Sequence, residues 1–479
     1  MAVTAHSPGA TSGVGGAVAA RRPEVDGGAI FGRMGLTPSA ATLSGVTVTR
    51  LASAEILADL RSGTLLDAAF DRRAATLDAR DRRWTRELIY GMLRRRAWLD
   101  LLLGERVRGG LARLDPDITD LLRLGAQQLL HMGSVPPYAA IAQTVELAKQ
   151  RHGLGASRLV NAVLRRLDRE RDALNPAPHT DPIAALATVH SHPRWLVARW
   201  VARWGANGTR ALLEANNREA PLVVRPWGVV REQLEAMLES ADVGIEDAPL
   251  VADSMQLSLG SSLTALGAFR QGHLFVQDPA ATLVTRYAAF PARARVADLC
   301  AAPGGKTVEL SRTAGLVISA DASIHRLGRL RETIARLELG NVVAVASDAR
   351  APGIAPLDAV LVDAPCTGTG TFRRHPDARW RLAPRDLTMM AAAQRSILRG
   401  AATAVRPEGL LVYSTCSLEP EENDAQVETF LAEHSEFTLE PPPPGAVPSE
   451  VLDAGRLRVL PHVHGVDGAF AARLRRRAA

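Results

Sequence analysis

The sequence predicts a multidomain chain: an all-α helical bundle, then a small α+β domain, then an α/β domain with a mostly parallel sheet. Three observations carry this. From Arg50 to about Leu167 apolar residues recur at helical spacing and strand-like alternation is scarce. From about His273 short apolar runs alternate with amphipathic stretches, the pattern of strands buried on both faces by helices. The stretch between is of mixed character. The expected divisions are 1–45 as a disordered tail, 46–170 as the bundle, 171–272 as linker and small domain, and 273–479 as the α/β domain.

Each element follows in order. Met1 to Gly45 is rich in Ala, Gly, Ser and Thr with no sustained period, which reads as disorder; a transit peptide is the weaker alternative, and the Lys/Arg-then-apolar layout of a signal peptide is missing. Leu122, Ala126, Leu129 and Leu130 fall on one helix face, and Ile141, Val145 and Ala148 on another; Pro136 and Pro137 separate the two helices. Asp168 to Pro193, charged and proline-containing, reads as a linker. A helix is predicted over Trp195–Trp204 and a strand at Leu222–Val224. Strands are then predicted at Val296–Leu299, Leu316–Ala320, Val342–Val345 and Ala359–Val362, each ending near Gly, Asp or Cys. A later strand ends at Tyr413–Ser417. In such a sheet, ligands sit beyond the carboxyl ends of the strands.

Composition sets broad bounds. Hydrophobic residues make up 47% and charged residues 23% of 479, as in globular proteins, and no long uncharged apolar run predicts a membrane span. A net charge of +6 is compatible with a polyanionic partner. The three cysteines, Cys300, Cys366 and Cys416, are widely spaced, form no zinc pattern and fit a reducing, cytoplasmic setting.

The residues that carry chemistry cluster at predicted strand ends. Cys300-Ala301-Ala302-Pro303-Gly304-Gly305-Lys306-Thr307 joins the first strand to a helix. Its glycines permit a tight turn and close ligand approach, and the helix start offers free N–H groups to a carboxylate. It is neither a dinucleotide fingerprint nor a Walker A loop. Asp321 ends the second strand and can accept both hydroxyls of a ribose; Asp348, at the end of the third, can take an adenine amine. Together they point to an adenosyl ligand. Asp363-Ala364-Pro365-Cys366-Thr367-Gly368-Thr369-Gly370 ends the fourth strand, which brings Cys366 and Cys416 to one rim of the sheet. Either thiol could serve as a nucleophile on this reading.

These motifs resemble the RNA cytosine-C5 methyltransferase family of the Sun/Fmu (RsmB) type. The likeness runs from Gly272-His273-Leu274-Phe275-Val276-Gln277-Asp278 through the glycine octet, Asp321, Asp348 and both cysteine turns to Glu419-Pro420-Glu421-Glu422-Asn423. It implies a Rossmann-like class I domain dependent on S-adenosyl-L-methionine. Cys300, Ala301, Ala302, Pro303, Gly304, Gly305, Lys306, Asp321, Asp348 and Asp363 would bind that cofactor. Asp363 would also face ring nitrogen 3 of a cytosine, Cys416 would attack, and Cys366 would assist release of the adduct. Two departures stand out: Thr367 where Ser is common, and Ala469 where an aromatic is usual. The helical domain resembles the antitermination factor NusB over Asp81–Leu102, Leu121–Pro137, Ile141–Lys149 and Leu159–Leu164. This pairing implies a 16S rRNA substrate, met before subunit assembly is complete, and a monomeric enzyme with no membrane partner. A tRNA methyltransferase and a non-catalytic assembly factor are the competing readings. Arg82, Arg83, Arg94, Arg95 and Arg96 either contact phosphates or form a solvated helix face.

The chemistry explains the need for a thiol. Carbon 5 of cytosine is a poor nucleophile. A thiolate added at carbon 6 turns it into an enamine-like centre, after which a base must remove the carbon 5 proton so that the thiolate can leave. The base must first be drawn out of any stack.

Overall fold

The computed structural model describes residues 42–43, 45–174, 180–260 and 262–478. The expected disordered tail therefore lies almost wholly outside the described residues. At its end, β1 (Thr42–Leu43) and β2 (Val46–Thr47) pair antiparallel. The pair is held from a distance: Thr47 N donates to Gln143 Oε1 (2.8 Å), and Gln143 Nε2 donates to Gly45 O (2.8 Å). Local composition does not carry that signal.

The bundle comprises α1 (Val48–Arg61), α2 (Leu66–Arg73), α3 (Ala79–Arg94), α4 (Arg96–Gly104), α5 (Pro116–His131) and α6 (Pro137–Glu170). Asp115 caps α5 by accepting from Asp117 N (2.7 Å), with Pro116 in the first turn. Leu121, Leu122, Ala126, Leu147, Val160 and Leu164 meet in one core. The region read as a linker contains a further helix, α7 (Pro182–Val189), capped by Asp181, whose carboxylate accepts from Ile183 N (2.9 Å). Its run, apolar except for Thr188, is too short for a helical period to be legible. α8 (Arg194–Asn217) extends past the predicted Trp204, bending where Gly205 takes φ 67°.

The small domain runs β3 (Leu222–Pro226), α9 (Arg231–Glu239), β4 (Gly244–Asp247), β5 (Met255–Ser258), α10 (Gly267–Arg270) and β6 (Leu274–Val276). Its antiparallel sheet has the order β4-β5-β3-β6, a split β-α-β arrangement around Val224, Leu234, Met255 and Leu274.

The last domain opens with α11 (Pro279–Ala288), β7 (Arg295–Leu299), α12 (Gly305–Ser311), β8 (Leu316–Asp321), α13 (Ile324–Arg336) and β9 (Val342–Ala346). It continues with β10 (Leu357–Asp363), α14 (Ala378–Arg381), α15 (Pro384–Thr403), β11 (Val405–Thr415), α16 (Asp424–Glu433) and β12 (Phe437–Leu439). It closes with β13 (Leu452–Asp453), β14 (Arg456–Val459), α17 (Pro461–His464) and β15 (Ala469–Arg476). β7 to β11 are parallel in the order β11-β10-β7-β8-β9, and β15 is antiparallel to β11. Val360 and Val362 enter the core on one face of the sheet, Ala359 and Leu361 the core on the other. Burial on both faces is why these strands read as continuous apolar runs. The chain steps outward from β7 to β9 and then crosses back to β10, so the sheet reverses between β7 and β10.

The bundle docks on the α/β domain through specific contacts. Trp380 Nε1 donates to Leu93 O (2.9 Å), Arg94 Nη2 to Arg373 O (3.1 Å), and Arg96 lies over the Trp380 ring, 5.2 Å from its centroid. No described helix is long and apolar enough to cross a membrane.

Leu361 is fully buried at the centre of the sheet. Leu361→Ala is expected to lower the unfolding free energy of the α/β domain by about 2–5 kcal/mol, measured by denaturant titration.

Candidate active site

The reversal between β7 and β10 opens a crevice at the strand carboxyl ends, where open α/β sheets bind ligands. A cavity of about 390 Å³ lies there, within the range of small-molecule sites. Cys300, Asp321, Asp348, Asp363, Cys366 and Cys416 all line it. Residues up to 116 positions apart in sequence are thus brought to one site, Cys300 being the first and Cys416 the last of them.

The glycine turn is shaped for close approach. Cys300 leaves β7 at φ 69°, and Gly304 has φ 112°, with Leu330 Cδ1 only 2.6 Å from where a Cβ would stand. Ala302 N donates to Asp321 Oδ2 (3.2 Å) and Ser323 N to Asp321 Oδ1 (2.9 Å), so buried Asp321 ties the turn to the end of β8. Asp348 stands two residues beyond β9, half-buried and forked by Arg350, whose hydrogen bonds hold its carboxyl below the usual range. Burial pushes the Cys300 thiol up to about 12, which leaves it without a role as a thiolate.

A polar line crosses the reversal point. Lys306 Nζ lies 2.6 Å from Asp363 Oδ2, and Ser414 Oγ donates to Asp363 Oδ1 (2.9 Å). Burial opposes the charge of Lys306, but Asp363 holds its pKa above the ordinary value. Beneath it, Asp298 is fully buried; burial raises its pKa to about 7, although Thr307 Oγ1 donates to it (2.6 Å).

Cys366 Sγ and Cys416 Sγ are 3.3 Å apart. Their loops interlock through glycine. Gly370 N donates to Cys416 O (2.9 Å) and Gly468 N to Gly370 O (2.8 Å); a Cβ on Gly370 would stand 2.6 Å from Cys416 O and 2.7 Å from Gly468 Cα. Asn423 accepts from Thr415 Oγ1 (2.6 Å) and donates to Ser417 O (2.8 Å), bracketing Cys416. Contact with Cys416, then burial, raises the Cys366 pKa well above its ordinary value.

A second opening of about 440 Å³ comes up to Gly368 of the Pro-Cys turn, lined also by Pro303, Thr371, Arg326, Arg329 and His375, with Leu65 and Asp67 from the bundle. A Cβ on Gly368 would be 3.9 Å from Cys416 Sγ. It shares Asp67 and Arg329 with a cavity of about 400 Å³ that contains Arg82, Arg83, Arg86 and Tyr90. Of the five arginines singled out in sequence, Arg82 and Arg83 line this groove, whereas Arg94 and Arg96 dock the bundle onto the α/β domain. Arg95 is exposed.

Sequence reasoning assigned no role to Ser414, Asp298, Asn423, Glu422 or Gln394. Asp298 did carry a signal, a carboxylate between apolar neighbours in a buried strand. Ser414 and Gln394 carried none, because their partners are distant in the chain. At the family departures, the Thr367 hydroxyl is fully used, hydrogen-bonded to Glu422, and Ala469 is buried beside Val459.

A parallel sheet reversed at its middle, a glycine turn after its first strand and acids at or just beyond the ends of the next two define a class I methyltransferase domain. Residues 290–475 match the family described as 16S rRNA methyltransferase RsmB/F, residues 47–169 the NusB family, and residues 192–264 the RsmF/B-like ferredoxin-like domain. A probable ribosomal RNA small subunit methyltransferase B of Synechocystis is 33% identical over 438 residues, 88% of this chain and 98% of its own. Its Bacillus subtilis counterpart is 35% identical, covering 82% of this chain and 90% of its own. The crystal structure of PH0851 superposes with a TM-score of 0.75 at 25% identity, covering 91% of this chain and 100% of its own. NSun6 from Pyrococcus horikoshii with SFG shares the fold, with a TM-score of 0.53 at 21% identity over 60% of this chain and 99% of its own. The chain belongs to the RsmB/F methyltransferase family with a NusB-like N-terminal domain. S-adenosyl-L-methionine is the cofactor of this family.

The raised pKa of Asp298 has a sign. The folded state holds this proton more tightly than the unfolded one, so its contribution to stability is largest below about pH 4 and falls as pH rises to about 7. Relative to Asp298→Asn, the wild type is expected to lose stability between pH 5 and 7, by at most about 1.4 kcal/mol per unit. Paired denaturant titrations at pH 5 and pH 8 measure it.

Proposed function

We propose that this chain methylates carbon 5 of a cytosine in 16S rRNA through a covalent adduct with Cys416. The observation that supports it most directly is the pair of thiols 3.3 Å apart, beside Asp363 in the lining of the 390 Å³ cavity. The 390 Å³ cavity fits an adenosyl ligand by its donor set. Asp321 and Asp348 would hold the nucleoside, and Cys300 to Lys306 with Asp363 would enclose the rest. Bound there, S-adenosylmethionine supplies the methyl group.

The chain's own groups handle the remaining steps. Cys416 adds to carbon 6, and the electron pair of the carbon 5–carbon 6 bond moves toward carbon 5 and ring nitrogen 3. Asp363, fixed by Lys306 and Ser414, would face that nitrogen. Cys366 keeps its proton, because contact with Cys416 and burial disfavour its thiolate. That S–H can hydrogen-bond to a Cys416 thiolate. After methylation the carbon 5–hydrogen bond breaks and its electron pair re-forms the carbon 5–carbon 6 double bond as the carbon–sulfur bond to Cys416 breaks; Cys366 assists this release by passing its proton to the departing Cys416 sulfur and taking up the carbon 5 proton in its place.

The second groove suits a strand of RNA entering toward the thiols. Arg86 and Arg329, on opposite domains, both line this groove and form no ion pair among the described residues. Substrate is unassembled rRNA, which can reach a groove closed on one side by the bundle, and the enzyme acts as a monomer in the cytoplasm.

Two outcomes follow. With labelled S-adenosylmethionine and naked 16S rRNA, Cys416→Ala makes no 5-methylcytosine and no adduct, whereas Cys366→Ala accumulates a covalent RNA–protein complex on denaturing gels. Activity in Cys416→Ala, or the reverse adduct pattern, refutes the assignment; activity on tRNA alone refutes the substrate. Arg329→Ala should lower the slope of log binding constant against log salt by about 0.7–0.9 for RNA, with cofactor affinity unchanged.

A further inference from the structure

The loops that carry the two thiols converge on one buried carboxylate. Glu422 is fully inaccessible to solvent. Its Oε1 accepts from Thr367 N (2.9 Å) and Gln394 Nε2 (3.0 Å). Its Oε2 accepts from both Thr367 Oγ1 and Ser417 Oγ. Thr367 immediately follows Cys366 and Ser417 immediately follows Cys416. Gln394 Nε2 also donates to Pro365 O (2.9 Å), the residue before Cys366, and Tyr413 Oη donates to Glu422 O (2.6 Å). A carboxylate with this many donors is strongly held.

We propose that Glu422 is a positioning residue: it clamps the residues following both cysteines and, by its charge, keeps the proton of the pair on Cys366 while Cys416 attacks. This rests on the reading of Cys416 as nucleophile and Cys366 as its helper. Glu422 has no path to substrate, so it acts only through the two loops. The titratable groups facing Cys366 are Cys416, Glu422 and Tyr413, and none of them is a cation. The donors on Glu422 are neutral, so its charge is not cancelled by an ion pair. A negative charge so placed disfavours a second thiolate, which makes two chemically identical side chains unequal. The unequal pair is what the reaction requires: one sulfur to attack, and one S–H to support it.

Glu422→Gln separates clamp from charge. Its amide is the same size; its oxygen can accept from Thr367 N, and its NH₂ can donate to the Thr367 and Ser417 hydroxyls, which rotate to accept. The measurements are alkylation of Cys366 by iodoacetamide, followed by peptide mass spectrometry from pH 6 to 10, and single-turnover methylation of 16S rRNA. In Glu422→Gln, Cys366 alkylation at pH 8 should rise about tenfold, in proportion to its thiolate fraction. The methylation rate should fall, with RNA and cofactor dissociation constants unchanged. Thr367→Val provides a second arm: the charge remains and one clamp contact is lost, so the rate falls while Cys366 stays slow to alkylate. A wild-type alkylation profile in Glu422→Gln overturns the proposal even if methylation is impaired, and so does a wild-type rate in both variants. If the wild type makes no 5-methylcytosine, the functional reading fails; the alkylation comparison still decides whether Glu422 sets the state of Cys366.

Discussion

The register of β10 between its two parallel neighbours is the constraint on which the site depends. Val362 pairs with Leu299 on one side, and Asp363 with Ser414 on the other. The glycine turn after β7, the Pro-Cys turn after β10 and the Thr-Cys turn after β11 therefore leave the sheet side by side. A slip of one residue would exchange the two faces of β10, moving Val360 and Leu361 into the wrong cores. The buried centre of this strand, Ala359–Val362, thus fixes the position of the thiols through packing that is distant from them.

Charge is managed at the same place with few cations. Lys306 meets Asp363 across the reversal point, while Asp298 and Glu422 are buried on hydroxyl, amide or backbone donors. Neutral donors satisfy a carboxylate without cancelling its field. That is why burial raises the pKa of both Asp298 and Glu422, and why Glu422 adds to the contact with Cys416 and the burial that hold the Cys366 thiol protonated. The arginines lie further out, at domain contacts and along the groove. Arg373 and Arg374 bridge Asp278 and Asp467 behind the cysteine loops, each carboxylate receiving two guanidinium groups.

The domains complete one another. The bundle contributes Leu65 and Asp67 to the opening beside Gly368, and α8 reaches the segment after the Thr-Cys turn through Trp200, whose Nε1 donates to Glu419 Oε1 (3.0 Å). The helical domain is therefore a wall of this opening, joined to the α/β domain by Trp380 and His375, the latter 3.4 Å from Asp67.

Local order in the sequence determined the strands of the sheet, the helices on either side of Pro136–Pro137 and the motifs at strand ends, because apolar period, proline and glycine act within a few residues. The same locality explains what it could not determine. α7 has too few residues to display a period, and β1–β2 depends on Gln143, far along the chain. The fate of the bundle arginines depended on which helix face the α/β domain covers. Asp321, Asp348 and both cysteines were legible as strand-end residues, and their convergence on one cavity follows from that topology. The 3.3 Å between Cys366 and Cys416, and the hold of Glu422 on both loops, arise from contacts tens of residues apart. Only the closed tertiary structure, with β10 locked between β7 and β11, could decide them.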